Sequence, residues 1–458
     1  MTKPLNKVFI ASRGEIAVRI IRACRDAGIQ TVQAYSTADS ETSAVHMADE
    51  SICIGGPKPS DSYLNATALI DAARHSGADA VHPGYGFLSE NADFAQAVEA
   101  AGLVYIGPQP EIIRMMGDKV KARQCAQEAG VPVSMGSPDT IESDEQAIDI
   151  ANRIGYPVLI KAAAGGGGRG MRVARNEAEL KDNIGRAIKE AETAFGSGAV
   201  YIEKFLERIR HIEVQIFGDG NEVIHLGDRD CSIQRRHQKL LEEGPASVLD
   251  PETREHIRNA ARQLGQSLGY RSAGTVEFIV DPRTREFYFI EMNTRIQVEH
   301  PVTELLTSTD LVAMQLAIAA GERLSLKQDD VKLRGHAIEV RINAEDPNKA
   351  FIPRAGTITQ FHMPSGPGVR VDTHVYPGYD LPTNYDSLLA KLIVWGKDRN
   401  QAIARLRRAL CEVHIEGVTT NVKFHQRLLA EADFLNNDTY TQFVKEQMYS
   451  KHPMRNLL

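Results

Sequence analysis

No surplus of positive charge marks this chain: 53 Lys and Arg stand against 60 Asp and Glu, a formal net charge of -7. Nothing in that balance would drive counterion release from a nucleic-acid backbone, so a DNA or RNA role is not expected. Long apolar runs are also missing. The best, Leu311 to Ala320, contains Gln315 and falls short of the roughly 18 to 20 residues that span a bilayer. The first twenty residues carry Arg13, Glu15 and Arg19 instead of the basic, apolar, small-residue progression of a signal peptide. Cysteine is scarce. Cys24, Cys53, Cys125, Cys231 and Cys411 are far apart, odd in number and never in a C-x-x-C arrangement. They read as reduced thiols of a cytoplasmic protein, each acting as a small buried apolar residue. With 42% apolar and 25% charged residues in 458 positions, disorder and low complexity are excluded. The length predicts about three domains at roughly 150 residues each.

The first hundred residues alternate apolar strands with helical patterns: Lys7 to Ala11, Glu15 to Ala27, Thr31 to Tyr35, Tyr63 to His75, Asp79 to His82. That rhythm predicts a doubly wound α/β unit closing near Gly107-Pro108. The turn Ser12-Arg13-Gly14-Glu15 has one glycine where a dinucleotide fingerprint needs three, so NAD is not indicated. Residues 109 to 130 read as two short helices. A strand at Tyr156 to Lys161 then leads into a run of four consecutive glycines, Gly165 to Gly168, with a fifth at Gly170. Long strands follow at His211 to Phe217, Gly274 to Val280, Glu286 to Met292, His336 to Ile342 and Leu388 to Trp395.

Chemistry concentrates in a few places. The glycine run can present backbone N-H groups to a phosphate, with Lys161 just before it and Lys119 opening a helix as candidate ammonium partners. The turn at Asp281 to Arg285 sets Glu277 opposite Glu291 across a hairpin. Like charges facing across strands are unfavourable unless cations neutralise them. With Asn293, this oxygen set suits Mg²⁺ or Mn²⁺ bridging nucleotide phosphates. In the run after it, Arg295 offers a fork of donors, Gln297 and the Val298 backbone add neutral contacts, and Glu299 could act as general base on a small anion. The segment Cys231 to Lys239, including Gln234, adds cations on a stretch that reads as irregular. Alternation in His336 to Asn343 puts Glu339, Arg341 and Asn343 on one side, where Arg341 either holds a developing oxyanion or pairs with Glu339.

Read in order, these segments resemble biotin carboxylase, an ATP-grasp enzyme, over essentially the whole chain. The matching stretches are Ser12 to Ala17, His82 to Asn91, Met116 to Lys119, the glycine loop, Glu203 to Leu206, Gln234 to Lys239 and Glu291 to Pro301. The resemblance implies a ligase that carboxylates carrier-bound biotin at N1′, using ATP, bicarbonate and two Mg²⁺ or Mn²⁺ ions. It implies an α/β fold, α+β toward the C-terminus. The expected parts are a Rossmann-like domain (1–114), a helical linker (115–133), a mobile glycine-rich ATP-grasp lid (134–204), an ATP-grasp core (205–334) and a biotin carboxylase C-terminal domain (335–458).

Carried over residue by residue, Lys119, Lys161, Gly167, Gly168, His211, Gln234 and His237 are expected at phosphate or ribose, and Glu203, Lys204 and Leu206 at the adenine side. Glu277, Glu291 and Asn293 would hold the metals. Lys239, Arg295, Gln297 and Val298 would hold bicarbonate, Tyr85, Gly86 and Arg341 would border biotin, and Glu299 matches the family's base. No Met-Lys-Met biotinylation tripeptide occurs before Leu458, so a separate biotin carrier protein and carboxyltransferase are expected, with a homodimer implied by the family. The role implied is the first half-reaction of acetyl-CoA carboxylase in fatty acid biosynthesis. The same step in a pyruvate or other acyl-CoA carboxylase is the alternative, and another ATP-grasp ligase a more distant one. Ala163 is a residue that pyruvate carboxylase relatives share.

Overall fold

The computed structural model describes residues 4–137, 140–141, 143–163 and 171–449. The glycine loop, with Gly167 and Gly168, lies outside the described residues.

The N-terminal layer is a parallel sheet of β1 (Lys7–Ile10), β2 (Gln30–Ser36), β3 (Glu50–Gly55), β4 (Ala80–His82) and β5 (Val104–Tyr105), ordered β3-β2-β1-β4-β5. The doubly wound expectation holds. β3 is an addition that the sequence pattern did not reveal: it is a short edge strand, largely exposed, in which Cys53 alternates with Ile52 and Ile54. Cys53 therefore points away from the core. It and Cys411, in the last turn of helix Arg399–Glu412, are exposed, which corrects the expectation that all five thiols are buried. All five are unpaired.

The two helices expected over residues 109 to 130 are Pro110–Gly117 and Lys119–Glu128; Asp118 caps the second by accepting from Val120 and Lys121 N-H. This cap sets Lys119 at the helix start. Beyond them, β6 (Val158–Ala162), β7 (Arg172–Ala174) and β8 (Val200–Lys204) form a small antiparallel sheet with β6 in the centre. Its alternating buried face packs on helices Asp144–Ile154 and Glu177–Phe195.

The largest sheet runs β13 (Phe287–Asn293), β12 (Arg271–Val280), β9 (Arg210–Asp219), β10 (Val223–Arg235), β11 (Gln238–Gly244), β14 (His336–Asn343), then Leu388–Gly396 and Val369–Thr373. The C-terminal strands thus continue the same sheet as the centre of the chain. Cys231 to Lys239 is not irregular as expected. It is the end of β10, a two-residue turn at Arg236 and His237 with φ of 49° and 65°, and the start of β11. Positive φ at both turn residues matches the twist of a tight hairpin; the dense charge of this stretch hid its strand character.

In the β12–β13 hairpin, Val280 pairs with Phe287 and Phe278 with Phe289, but Glu277 pairs with Glu291. Ile290 is therefore a bulge. Without it Glu277 would oppose Ile290, and Glu291 would point to the other face. No single helix among the described residues is long and apolar enough to cross a membrane. One pair, His300–Thr307 and Leu311–Ala319, passes by length and composition together but is bent by 95°, and the apolar side chains of Leu311–Ala319 pack in the core.

Candidate active site

Strand registry sets a row of charges across four neighbouring strands: Glu291 on β13, Glu277 on β12, Glu213 on β9 and Arg229 on β10. Three carboxylates side by side would repel one another unless cations reach them. Lys239 does so from β11, donating to Glu213 Oε2 at 2.5 Å, Glu277 Oε1 at 2.9 Å and Glu299 Oε1 at 2.7 Å. Arg229 closes the row through Glu213 Oε1 at 2.5 Å, and His211 Nε2 lies 2.8 Å from Glu277 Oε2. Burial works to raise the Glu277 carboxyl, but Lys239 and His211 hold it well below the usual range.

Glu291 is left out of this neutralisation. It has no ion pair or hydrogen bond among the described residues, and burial followed by the charge of Glu277 raises its carboxyl above the ordinary value. An uncompensated carboxylate in register with a second one is a hard-oxygen pair that fits a divalent cation. Among the described residues, ligand atoms of His211, Glu213 and Glu277 also lie within 4.8 Å of one another. Asn293 turns its amide N-H₂ to Glu277 Oε1 at 2.9 Å, while its oxygen accepts from Arg295 at 3.1 Å.

Above this row, Lys161 on β6 donates to Glu203 Oε2 at 2.5 Å, and Arg123 donates to Glu203 Oε1 at 3.1 Å. Burial opposes the Lys161 charge, yet Glu203 raises it above its usual value. Lys119 faces the same space and is lowered by burial, with Glu291 acting against that. Lys204 Nζ, at the end of β8, donates to the Gly155 and Tyr156 carbonyls and so ties β8 to the segment before β6; Leu206 is half-buried nearby. Gln234 Nε2 is 3.4 Å from His211 Nδ1, and His237 in the turn is pushed down by burial and by His211, Lys161 and Lys119. Two ammonium groups thus lie within electrostatic reach of the His237 imidazole.

The polar run after β13 is held from several sides. Glu90 accepts from Arg295 Nε at 2.9 Å and from Thr294 N-H at 3.1 Å. Gln297 spans Arg229 at 3.0 Å and Glu277 at 3.1 Å, so both ends of its amide are used within the protein. Fully buried Lys391 donates to the Val298 carbonyl at 2.8 Å and pairs with Glu15 at 3.0 Å, while Tyr85 O-H donates to the same Glu15 carboxylate. Glu299 lies between two cations, Lys239 on Oε1 and Arg341 on Oε2 at 2.9 Å. Burial raises its carboxyl, but Lys239, Arg341 and Arg229 bring it far below the usual range.

Arg341 pairs with Glu242, at 2.7 Å through Nε, and with Glu299, not with Glu339. The simple pair with Glu339 is therefore not formed: Glu339 is fully buried, neither of its oxygens has a hydrogen-bond partner among the described residues, and burial raises its carboxyl well above the usual value. The loop carrying Tyr85 and Gly86 approaches the Ser12 turn so closely that a Cβ on Gly84, which has φ +62°, would lie 2.7 Å from Ser12 Cβ. A cavity of about 350 Å³ opens beside it, lined by Ser12, Glu15, Tyr85, Gly86 and Tyr385. Glu213, Arg229, Glu242, Glu90, Glu15 and Lys391 join the site without having been singled out by sequence. Strand pairing identifies Glu213, Arg229, Glu242 and Lys391, whereas Glu15, on a helix, and Glu90, in a loop, are identified by their contacts with Lys391 and with Arg295.

Three family models tile the chain: biotin carboxylase, N-terminal domain (residues 4–113), carbamoyl-phosphate synthase L chain, ATP binding domain (118–327), and biotin carboxylase C-terminal domain (339–446). Biotin carboxylase 1 of Bacillus subtilis is 53% identical, the match covering 96% of this chain and 98% of that protein. The chain belongs to the biotin carboxylase family. Among biotin carboxylase relatives of other systems, a pyruvate carboxylase subunit from Methanothermobacter thermautotrophicus is 49% identical, over 96% of this chain and 90% of that one. The biotin carboxylase domain dimer of Hydrogenobacter thermophilus 2-oxoglutarate carboxylase, solved with MgADP, ADP and bicarbonate, superposes with a TM-score of 0.94 at 48% identity, covering 98% of both chains. The chain is thus an ATP-dependent ligase with an ATP-grasp core.

Proposed function

We propose that the chain carboxylates carrier-bound biotin at N1′, with ATP and bicarbonate as co-substrates. One observation carries the reading most: Glu299 is gripped on one oxygen by Lys239, which also binds the carboxylates Glu213 and Glu277, and on the other by Arg341. A base so positioned joins a phosphate-and-metal side to an oxyanion-binding side.

In this reading Lys119, Lys161 and His237, with Gly167 and Gly168, receive the triphosphate, and Glu203, Lys204, Leu206, His211 and Gln234 line the rest of the nucleotide site. Glu277 and Glu291, with Asn293, would hold Mg²⁺ or Mn²⁺, which supplies charge neutralisation to the phosphates when bound. Lys239, Arg295, Gln297 and the Val298 backbone receive bicarbonate. Glu299 is too weak a base while both cations hold it. An anion arriving at Lys239 and Arg295 would draw the Lys239 charge away and raise the basicity of Glu299 as its proton is needed elsewhere. Glu299 takes that proton, a bicarbonate oxygen attacks the γ-phosphorus as its bond to the bridging oxygen breaks and ADP leaves, and the carboxyphosphate formed splits to CO₂ and phosphate. Phosphate accepts the N1′ proton of biotin, whose ureido oxygen Arg341 stabilises beside Tyr85 and Gly86, and the nitrogen takes up CO₂.

The division at 114, 133, 204 and 334 belongs to the same proposal. It is supported by the separate core of the three-stranded unit, although the N-terminal layer shares a core with residues 217 to 331. The biotin carrier and carboxyltransferase are separate chains in this reading, the protein is a homodimer, and the location is cytoplasmic, consistent with five unpaired cysteines. The carboxylated biotin serves acetyl-CoA carboxylase in fatty acid biosynthesis, or a 2-oxo acid carboxylase such as the pyruvate and 2-oxoglutarate systems of the relatives above. The test is bicarbonate-dependent ATP cleavage stimulated by free biotin; no stimulation overturns the reading, and the biotinylated polypeptide that co-purifies identifies the acceptor.

A further inference from the structure

β11 pairs with β14 only as far as Val340, which faces Leu241. Beyond that point the strand carrying Arg341 loses its neighbour on one edge, and its backbone groups need other partners. One residue, Asn421, serves three of them. Asn421 Oδ1 accepts from Asn343 N-H at 2.9 Å, Asn421 Nδ2 donates to the Arg341 carbonyl at 2.9 Å, and Asn421 N-H donates to the Asn343 carbonyl at 3.2 Å. His425, one helical turn on, brings Nε2 to 3.0 Å from the same Arg341 carbonyl and must donate to it. Both side chains are fully buried.

We infer that Asn421, backed by His425, is a positioning residue for Arg341: its amide stands in for the strand that ends at Val340 and fixes the backbone from which the guanidinium projects. Glu242 and Glu299 orient the far end of that side chain, but neither holds its origin. Arg341 has to meet a developing oxyanion within a few tenths of an ångström, and a displacement of about 1 Å can cost 100-fold in rate. The inference rests on the reading that Arg341 acts on the biotin oxygen. It assigns no contact with substrate to Asn421 itself.

The test measures free-biotin carboxylation and bicarbonate-dependent ATP cleavage side by side in Asn421→Ala, Asn421→Asp, His425→Gln, His425→Leu and Arg341→Ala. Asn421→Ala should lower kcat for carboxylation about 10- to 100-fold while the KM for ATP stays within about twofold. Asn421→Asp keeps the acceptor for Asn343 but loses the donor to Arg341, and should show the same selective loss if the alanine variant does not fold. His425→Gln, which retains an N-H donor, should lose less than His425→Leu. If Arg341→Ala is selectively defective in carboxylation while both Asn421 variants keep the wild-type ratio of the two rates, the inference fails and the reading of Arg341 stands. If Arg341→Ala lowers both rates equally, both fall.

Discussion

Lys239 Nζ lies 2.7 Å from Glu299 Oε1, and the same ammonium reaches Glu213 and Glu277, so one cation bridges three buried carboxylates. All three of its N-H bonds are spent on protein. Any anion that binds Lys239 must compete with these carboxylates, which ties substrate binding to the charge state of Glu299.

Replacing Glu299 by Gln should therefore leave nucleotide binding intact and lower bicarbonate-dependent ATP cleavage by at least about 100-fold. Isothermal titration with ATP and steady-state turnover separate the two effects. Turnover near the wild-type rate would remove Glu299 from its role.

Glu291→Lys should put an ammonium against Glu277 where a divalent ion is expected, and abolish the dependence of turnover on Mg²⁺ concentration together with turnover itself. A variant that keeps a normal Mg²⁺ titration would refute the paired-carboxylate site.

For Arg341→Ala, ATP cleavage should survive better than biotin carboxylation, because the guanidinium is proposed to act after phosphoryl transfer. The ratio of phosphate released to carboxybiotin formed is the readout, and an unchanged ratio counts against an oxyanion role.

Acid should unfold the protein in two stages. Burial holds His374 and His425 down at about 4 and His82 at about 3, below their ordinary value of 6.5. The folded state resists protonating them, so stability is full above pH 6.5 and falls as pH drops toward 4, by about 3 kcal/mol for a single such group. Glu243 behaves differently. Burial raises it, but His336 and Arg399 lower it to about 2. Its contribution is present above pH 4.5 and is lost as pH falls toward 2. Thermal melts from pH 7 to 3 should show Tm falling first in the histidine window; Glu243→Gln should blunt only the later fall. A Tm flat between pH 6.5 and 5 would contradict the histidine account.

Much of this site was legible in advance because its residues sit in short motifs or one hairpin. Glu277 and Glu291 could be paired from their distance to a single turn, and the polar run from Asn293 to Glu299 is contiguous. Glu213 could not be found that way. It faces Glu277 only because β9 pairs with β12, a contact spanning about sixty residues of chain, and within His-Ile-Glu-Val it resembles the solvent face of an amphipathic strand. Lys391 is hidden for a similar reason: it lies fully buried in an apolar strand, and its partners Glu15 and Val298 come from distant segments. Asn421 escaped notice because a lone asparagine before a helix reads as a cap, and its real partners are backbone groups some 80 residues away.

The bulge at Ile290 makes the metal-side chemistry a matter of chain length as much as of residue identity. Were the strand to pair regularly with that isoleucine kept in the ladder, no reactive group would be lost, yet Glu291 and Asn293 would turn to the reverse side of the strand and Glu277 would face a hydrocarbon neighbour. Insertions in the tip at Asp281 to Arg285 fall on the other side of the bulge, next to solvent, and there the hairpin has slack.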